Sequence, residues 1–124
     1  MDLPSEKLAA QYLRRWGGRI LDQNLRRRYG EIDLLAEAPD RHTIVVVEVK
    51  ASQLQVSNGN ERALPGMRVD RRKQRKLMGL ACQVARAYRL PDRPIRFGVA
   101  GVDLRKDGSV KQIRHHPAVF ESHV

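Results

Sequence analysis

The sequence predicts an α/β fold with its helices and strands in the order α-β-β-β-α-β-β. Two segments carry apolar residues at the spacing of an amphipathic helix. Five others are short apolar runs bounded by polar or turn-forming residues, which is typical of strands. The chain has 124 residues, of which 41% are hydrophobic, so we expect one domain, residues 1–124, with a single core.

The first element is an amphipathic helix that begins near Pro4 and Ser5 and ends at Gly17-Gly18. At about 100° per residue, Glu6 lies beside Leu13 at the margin of the apolar face. Its carboxylate therefore either points along the buried face or is a first-turn acid favoured by the helix dipole. The apolar face consists of Leu8, Ala9, Tyr12, Leu13 and Trp16.

Three strands follow this helix, with Pro39 and Asp40 marking the turn between the last two. Residues 52–67 are polar and rich in asparagine, glycine and proline, so we expect a long loop of the kind that often contacts substrate. The strands are predicted at residues 19–24, 31–37 and 43–50.

The second half of the chain begins with a helix, predicted from about residue 70 to residue 88 because its apolar residues lie on one face. Pro91 ends this helix. Residues 95–104 are predicted to form a strand. A turn at residues 106–108 then leads to a short strand through Ile113.

The charge balance is strongly basic, with 24 Lys and Arg against 14 Asp and Glu and a net charge of +10. Such an excess attracts a polyanion through phosphate contacts and the release of counterions, so nucleic acid is the leading class of partner. The alternative is that basicity only keeps a small protein in solution.

Two carboxylates and a lysine form the candidate site. If Ala38 and Thr43 flank a four-residue hairpin loop, the register places Asp33 directly across from Glu48. Lys50 follows two residues later and shares the face of Glu48, because side chains alternate along a strand. The same alternation predicts one shared face for Glu31, Asp33, Leu35 and Glu37.

Facing carboxylates repel one another, and a divalent cation resolves that conflict. Mg²⁺ commonly takes one or two carboxylates together with waters and substrate phosphate, which fits Asp33 and Glu48. From its place on the same face, the ammonium of Lys50 can orient a water or stabilise charge on a phosphate. The alternative is a plain ion pair between Glu48 and Lys50, with Asp33 as a solvated neighbour.

These motifs resemble the YraN-like bacterial family, which is related to the PD-(D/E)XK nucleases and the Holliday junction resolvases. The resemblance covers most of the chain. It is carried chiefly by Gly30-Glu31-Ile32-Asp33-Leu34 and Val46-Val47-Glu48-Val49-Lys50, with support from Ser5-Glu6-Lys7-Leu8-Ala9, Tyr12-Leu13, Asn24, Arg26, Lys73-Gln74-Arg75 and Leu77.

The resemblance implies a restriction-endonuclease-like fold, a mixed sheet flanked by helices. It also implies an endonuclease that acts on DNA, with branched DNA as one candidate substrate. Asp33 and Glu48 would be ligands for Mg²⁺ or Mn²⁺, Lys50 the catalytic lysine and Glu6 an additional helix carboxylate. A homodimer is a further implication. The sequence departs from the family at Gly98, where an aspartate is usual, and in the loop after Lys50.

Basic residues lie in two clusters, one before the acidic motif and one at the start of the second helix. Positive charge at a helix start opposes the helix dipole, which favours a functional role over a solvated surface, the alternative for the outward-facing members. The candidate nucleic-acid-binding residues are Arg26, Arg28, Arg72, Lys73, Gln74 and Arg75.

The cysteine, the lengths of the apolar runs and the histidines limit the possible location and function of the protein. The single cysteine, Cys82, rules out an internal disulfide, and no apolar run is long enough to span a bilayer, so we expect a cytoplasmic protein. His115 and His116 point to opposite faces if they lie in a strand, so we interpret them as structural or surface residues. Metal-dependent phosphodiester hydrolysis is the first hypothesis. A non-catalytic nucleic-acid-binding module is the second, and a protein scaffold ranks last.

Overall fold

The computed structural model describes residues 4–28, 30–53, 71–89 and 92–122, without the side chains of Lys73 and residues 117–122. The helices and strands follow the predicted order α-β-β-β-α-β-β, and the predicted fold class is confirmed. They are α1 (Ser5–Arg15), β1 (Arg19–Arg27), β2 (Gly30–Glu37), β3 (Ile44–Gln53), α2 (Arg71–Ala87), β4 (Ile95–Leu104) and β5 (Val110–Ser122).

The five strands form one mixed sheet in the order β1-β2-β3-β4-β5. Strands β1 and β2, β2 and β3, and β4 and β5 pair antiparallel. Strands β3 and β4 pair parallel. A parallel pair needs a crossover connection, and the segment between these two strands contains α2. The described part of the chain contains no helix long and apolar enough to cross a membrane.

The core has two layers, one on each side of the sheet. On one side, which we call the α1 face, Leu34, Val45, Val47 and Ala100 pack with Ala9, Ala10 and Leu13 of α1. On the other side, the α2 face, Leu35, Ile44, Val46 and Phe97 pack with Leu80, Ala81 and Val84 of α2. Strand β3 is buried on both faces over its first four residues, which explains its unbroken run of isoleucine and valine.

The hairpin between β2 and β3 is held by its own loop. The N–H of Ala38 donates a 2.8 Å hydrogen bond to the carbonyl of Thr43, so the four-residue loop and the predicted register are both confirmed. Asp40 accepts from the backbone N–H groups of His42 and Thr43 and from the Thr43 hydroxyl. These three bonds lower the pKa of Asp40 to about 2.

Three strands are longer than the sequence predicts. Strand β3 continues through Gln53, into the predicted loop at residues 52–67, because it pairs with β4 as far as Leu104. The rest of that loop lies outside the described residues. Strand β1 continues through Arg27 because it pairs with β2 as far as Gly30, and Leu25 is buried opposite Ile32. Strand β5 continues to Ser122 because it pairs with β4 back to Ile95. In each of the three cases the neighbouring strand extends the element, and polar residues within the extension conceal it from a pattern based on hydrophobicity.

The amino-terminal end of β3 carries an enclosed ion pair. The Arg93 Nη2 atom lies 2.7 Å from Glu37 Oε2, and Arg93 Nε donates a 2.6 Å hydrogen bond to the carbonyl of His42. Only 18% of the Arg93 side chain and 11% of the Glu37 side chain are exposed. This pair ties the hairpin to the start of β4, at the end of the sheet away from Lys50.

Candidate functional site

Asp33 meets β3 beside Glu48, at the point where the backbone pairing of the two strands ends. Pairing runs from Glu37 with Ile44 to Leu34 with Val47. One position further, the Asp33 Oδ2 atom accepts a 2.8 Å hydrogen bond from the backbone N–H of Val49. The structure therefore brings Asp33 next to the Glu48-Val49-Lys50 segment, as the register predicts.

The simple alternation predicted for β2 is wrong on the amino-terminal side of Asp33. Leu35 packs on the α2 face and Leu34 on the α1 face, yet Ile32 also packs on the α2 face. On the neighbouring strand, Asn24 has a left-handed backbone with φ +51°. This irregularity, which regular alternation cannot predict, accompanies the hydrogen bond that the Asp33 carboxylate accepts from the β3 backbone.

Glu48 and Lys50 form an ion pair on the α2 face. Val49, between them, packs with the α1-face cluster, so its two neighbours point to the other side of the sheet. The Lys50 Nζ atom lies 3.1 Å from Glu48 Oε1, with 38% and 31% of the two side chains exposed. Both charged groups are therefore at the surface of the sheet and within reach of a ligand.

The pKa of Asp33 reflects the acidic side chains that lie near it. Burial raises its pKa, and the negative charges of Glu48, Glu6 and Glu31 raise it further, while the hydrogen bond from Val49 opposes them. Glu6, an acid in the first turn of α1, therefore lies within electrostatic range of Asp33. The alternative prediction is therefore met only in its first part: the ion pair between Glu48 and Lys50 is present, but Asp33 is half-buried and hydrogen-bonded.

A small divalent cation fits this donor set. Mg²⁺ and Mn²⁺ accept two carboxylates and complete their coordination with water and phosphate oxygen, which matches Asp33 and Glu48. A bound cation would also relieve the repulsion that raises the pKa of Asp33. Among the described residues, no group of three or more His, Cys, Asp or Glu side chains is arranged to hold a metal. Glu6 is therefore a neighbour of this two-carboxylate set.

The predicted nucleic-acid-binding residues are mainly on the surface. Arg26 and Arg28 are exposed at the end of β1, and Arg26 lies 3.6 Å from Glu31 in an open ion pair. Arg72 and Arg75 are exposed near the start of α2, whose first turn has no acidic residue. Gln74 is half-buried, and the Lys73 side chain lies outside the described residues.

Gly98 lies in β4 in register with Val47 of β3. Val47 packs on the α1 face, and in-register neighbours share a face. A side chain at position 98 would therefore lie on the face opposite to Glu48 and Lys50. Glycine in place of the family's usual aspartate therefore removes no side chain from the face that carries Glu48 and Lys50.

Sequence reasoning missed a buried ion pair near the site. Asp103 of β4 is fully buried, and its carboxylate contacts Gln112 and Arg114 of β5. The two residues are eleven positions apart in the sequence, and their contact becomes evident only when β4 and β5 are placed in register. The one available signal was Asp103 itself, an acid within the apolar run Phe97 to Leu104.

Comparison with known proteins identifies the family. A model of "Uncharacterised protein family UPF0102" matches residues 5–102. A UPF0102 protein of Syntrophus aciditrophicus is 38% identical over 103 residues, 83% of this chain and 76% of that protein. One of Trichlorobacter lovleyi is 38% identical over 117 residues, 94% and 86% of the two chains, and one of Clostridioides difficile is 36% identical over 110 residues, 89% and 87%. The chain therefore belongs to UPF0102, the YraN-like family that its paired central motifs resemble.

Proposed function

We propose that this protein is a metal-dependent endonuclease that hydrolyses phosphodiester bonds in DNA. The observation that carries the proposal is the hydrogen bond that holds the Asp33 carboxylate on the backbone of Val49, between the ion-paired Glu48 and Lys50, at the end of the β2–β3 pairing. Two half-exposed carboxylates beside a lysine form the donor set that phosphoryl chemistry uses, with a cation site and a positive charge next to it.

Asp33 and Glu48 would hold Mg²⁺ or Mn²⁺. When bound, such a cation supplies Lewis acidity and lowers the pKa of a coordinated water. The hydrogen bond from Val49 fixes the orientation of the Asp33 carboxylate before any ligand arrives. This preorganisation matters because a misplaced ligand costs affinity and rate.

Lys50 supplies the positive charge. Its ammonium lies 3.1 Å from the Glu48 carboxylate, so Glu48 keeps it beside the place where the cation and the scissile phosphate would meet. There it donates a hydrogen bond to a phosphate oxygen and stabilises the negative charge that develops during in-line attack.

The surface charge fits a DNA substrate. The chain carries +10, and exposed arginines follow β1 and begin α2. Such residues neutralise phosphates irrespective of base sequence, which supports binding without direct base readout. Branched DNA as the preferred substrate and a homodimer as the working assembly stay predictions from the family resemblance, as does a cytoplasmic location.

A non-catalytic DNA-binding module is the second candidate. It is favoured by the ion pair between Glu48 and Lys50, which neutralises this carboxylate without a cation. A module of that kind would bind DNA in a salt-dependent manner, and its binding would survive the loss of Asp33 and Glu48.

Cleavage assays separate the two candidates. Wild type and Asp33→Asn are incubated with single-stranded, duplex and four-way-junction DNA in Mg²⁺ and in Mn²⁺. Asp92→Asn is the matched control, since it removes the charge of an exposed aspartate with φ +62°, a conformation that asparagine tolerates. We expect cleavage by wild type and Asp92→Asn and none by Asp33→Asn. Cleavage of no substrate by wild type, or equal cleavage by Asp33→Asn, would contradict the nuclease proposal.

A further inference from the structure

A row of in-register residues links the candidate site to β5. Lys50 of β3 pairs with Gly101 of β4, which pairs with Arg114 of β5. Adjacent strands lie about 4.8 Å apart, so the backbones of Lys50 and Arg114 are separated by about 10 Å. Gly101, which lies between them, has no side chain that would separate the two cationic residues.

Arg114 points to the same face of the sheet as Lys50. The ring of His115, the next residue, packs edge-on against Trp16 and Tyr12 of α1, with ring centroids 4.8 and 5.7 Å apart. His115 therefore lies on the α1 face, and alternation places Arg114 on the α2 face. This is the face that Glu48 and Lys50 occupy.

A buried carboxylate holds the guanidinium of Arg114. Its Nε atom lies 2.9 Å from Asp103 Oδ2, and its Nη2 donates a 3.0 Å hydrogen bond to Asp103 Oδ1. Gln112 Nε2 donates a 2.8 Å hydrogen bond to Asp103 Oδ2. The Asp103 side chain is fully buried, whereas 19% of the Arg114 side chain is exposed. The hydrogen bond from Nη2 and the close approach of Nε to the carboxylate orient the guanidinium from below and leave part of the side chain at the surface.

We propose that Arg114 is a phosphate-binding residue, which contacts a second phosphate of the strand whose scissile phosphate lies at Asp33, Glu48 and Lys50. The proposal rests on the nuclease function proposed above. Asp103 is then a positioning residue that acts through Arg114. Arginine matches phosphate with a planar set of donors, and a guanidinium already fixed by a carboxylate loses less side-chain entropy when it binds.

The ion pair itself gives a reason to expect a role beyond stability. A fully buried charge pair is a weak source of folding free energy, because the cost of removing both charges from water offsets their attraction. Asp103 nevertheless has its carboxylate oxygens engaged by Arg114 and Gln112. That arrangement holds the guanidinium of Arg114 on the face of the sheet that carries Lys50.

Binding measurements test the assignment. Fluorescence anisotropy of labelled single-stranded and junction DNA is recorded over a salt series, in Ca²⁺ in place of Mn²⁺, for wild type and Arg114→Gln. Arg93→Gln is the matched control, because Arg93 is 18% exposed, pairs with a buried carboxylate and lies at the far end of the sheet. We expect Arg114→Gln to weaken binding about tenfold and to lower the salt slope by about one phosphate contact. Arg93→Gln should keep the wild-type affinity and slope.

The outcomes distinguish this inference from the nuclease proposal. If Arg114→Gln binds DNA like Arg93→Gln while Asp33→Asn still abolishes cleavage, the inference is wrong and the nuclease proposal stands. If wild type cuts no DNA but Arg114→Gln weakens binding, the phosphate contact stands and the nuclease proposal fails. If Arg114→Gln does not fold, the Nε–H resonance of Arg114 in wild type, assigned with Arg114→Lys, is followed by NMR during DNA titration. A resonance that does not move while DNA binds would overturn the inference.

Discussion

The carboxylate of Asp33 accepts a 2.8 Å hydrogen bond from the backbone N–H of Val49, the residue between Glu48 and Lys50. A side chain of β2 thus takes the place of a backbone acceptor where the pairing with β3 ends. This one contact couples the position of Asp33 to the strand that carries the other two site residues. It also gives the backbone N–H of Val49 an acceptor. Without Asp33 this N–H would be left to solvent, because the backbone pairing of β2 and β3 has already ended.

Asp33→Asn should stabilise the metal-free protein at neutral pH. Burial and the nearby charges of Glu48, Glu6 and Glu31 raise the pKa of Asp33, so its ionised form is disfavoured in the folded state. Asparagine keeps an oxygen acceptor for Val49 and removes the negative charge. We expect an increase of about 0.5–1 kcal/mol in the free energy of unfolding, measured by urea denaturation in EDTA. A less stable Asp33→Asn protein would show that the charge cluster does not strain the fold.

Lys50→Met should slow DNA cleavage by about 100-fold or more without weakening the binding of Mn²⁺. Lys50 stabilises charge on phosphate and is not a metal ligand, and its ammonium competes with a cation for Glu48. Single-turnover cleavage rates and Mn²⁺ titrations are the measurements. Lys106→Met, at an exposed turn, is the control. Wild-type cleavage by Lys50→Met would remove this residue from the chemistry.

The stability of the fold should fall as the pH is lowered through the range set by His115. Burial, and then the charge of His116, lower the pKa of His115 from its ordinary value of 6.5 to about 4. Between these values the unfolded chain binds a proton that the folded chain does not, so the free energy of unfolding decreases as the pH falls. We expect His115 to account for about 1–2 kcal/mol of this loss, after allowance for solvent screening of a half-buried ring.

Urea denaturation at about pH 7.5 and about pH 4.5 checks this prediction. His115→Phe keeps an aromatic ring between Trp16 and Tyr12 and removes the titrating group. Its stability should change less with pH than that of wild type. An identical pH dependence in the two proteins would mean that other groups control the acid sensitivity.

Arg72→Gln and Arg75→Gln should each weaken DNA binding and lower the salt slope by about one. Both side chains are exposed near the start of α2, where positive charge opposes the helix dipole and has no structural advantage. Arg86→Gln removes an exposed arginine from the last turn of the same helix and serves as the control. Equal effects of all three changes would indicate that total charge alone governs binding.

The sequence contained enough information to predict the element order and the register of the central hairpin. Pro39 and Asp40 marked a turn, and the apolar runs on either side allowed one alignment that buried both strands. The structure has that alignment, with the Ala38 and Thr43 pair closing the loop. Turn chemistry and burial acted together here, so a local pattern was sufficient.

Other features depended on contacts between distant segments. Alternation could not reveal that Ile32 and Leu35 share a face, because the strand is irregular beside Asp33, opposite the left-handed backbone of Asn24 on the neighbouring strand. The pair formed by Asp103 and Arg114 was equally hidden. Each residue looks like a common polar position until β4 and β5 are placed in register.

The central claim is that Asp33 and Glu48 together hold one divalent cation, and Mn²⁺ binding measures this most directly. Isothermal titration calorimetry, with electron paramagnetic resonance to count bound ions, is applied to wild type, Glu48→Gln and the control Asp92→Asn. We predict one Mn²⁺ per chain for wild type and Asp92→Asn, and an affinity at least about tenfold weaker for Glu48→Gln. Mn²⁺ binding by Glu48→Gln with the stoichiometry and affinity of wild type would contradict the proposed site.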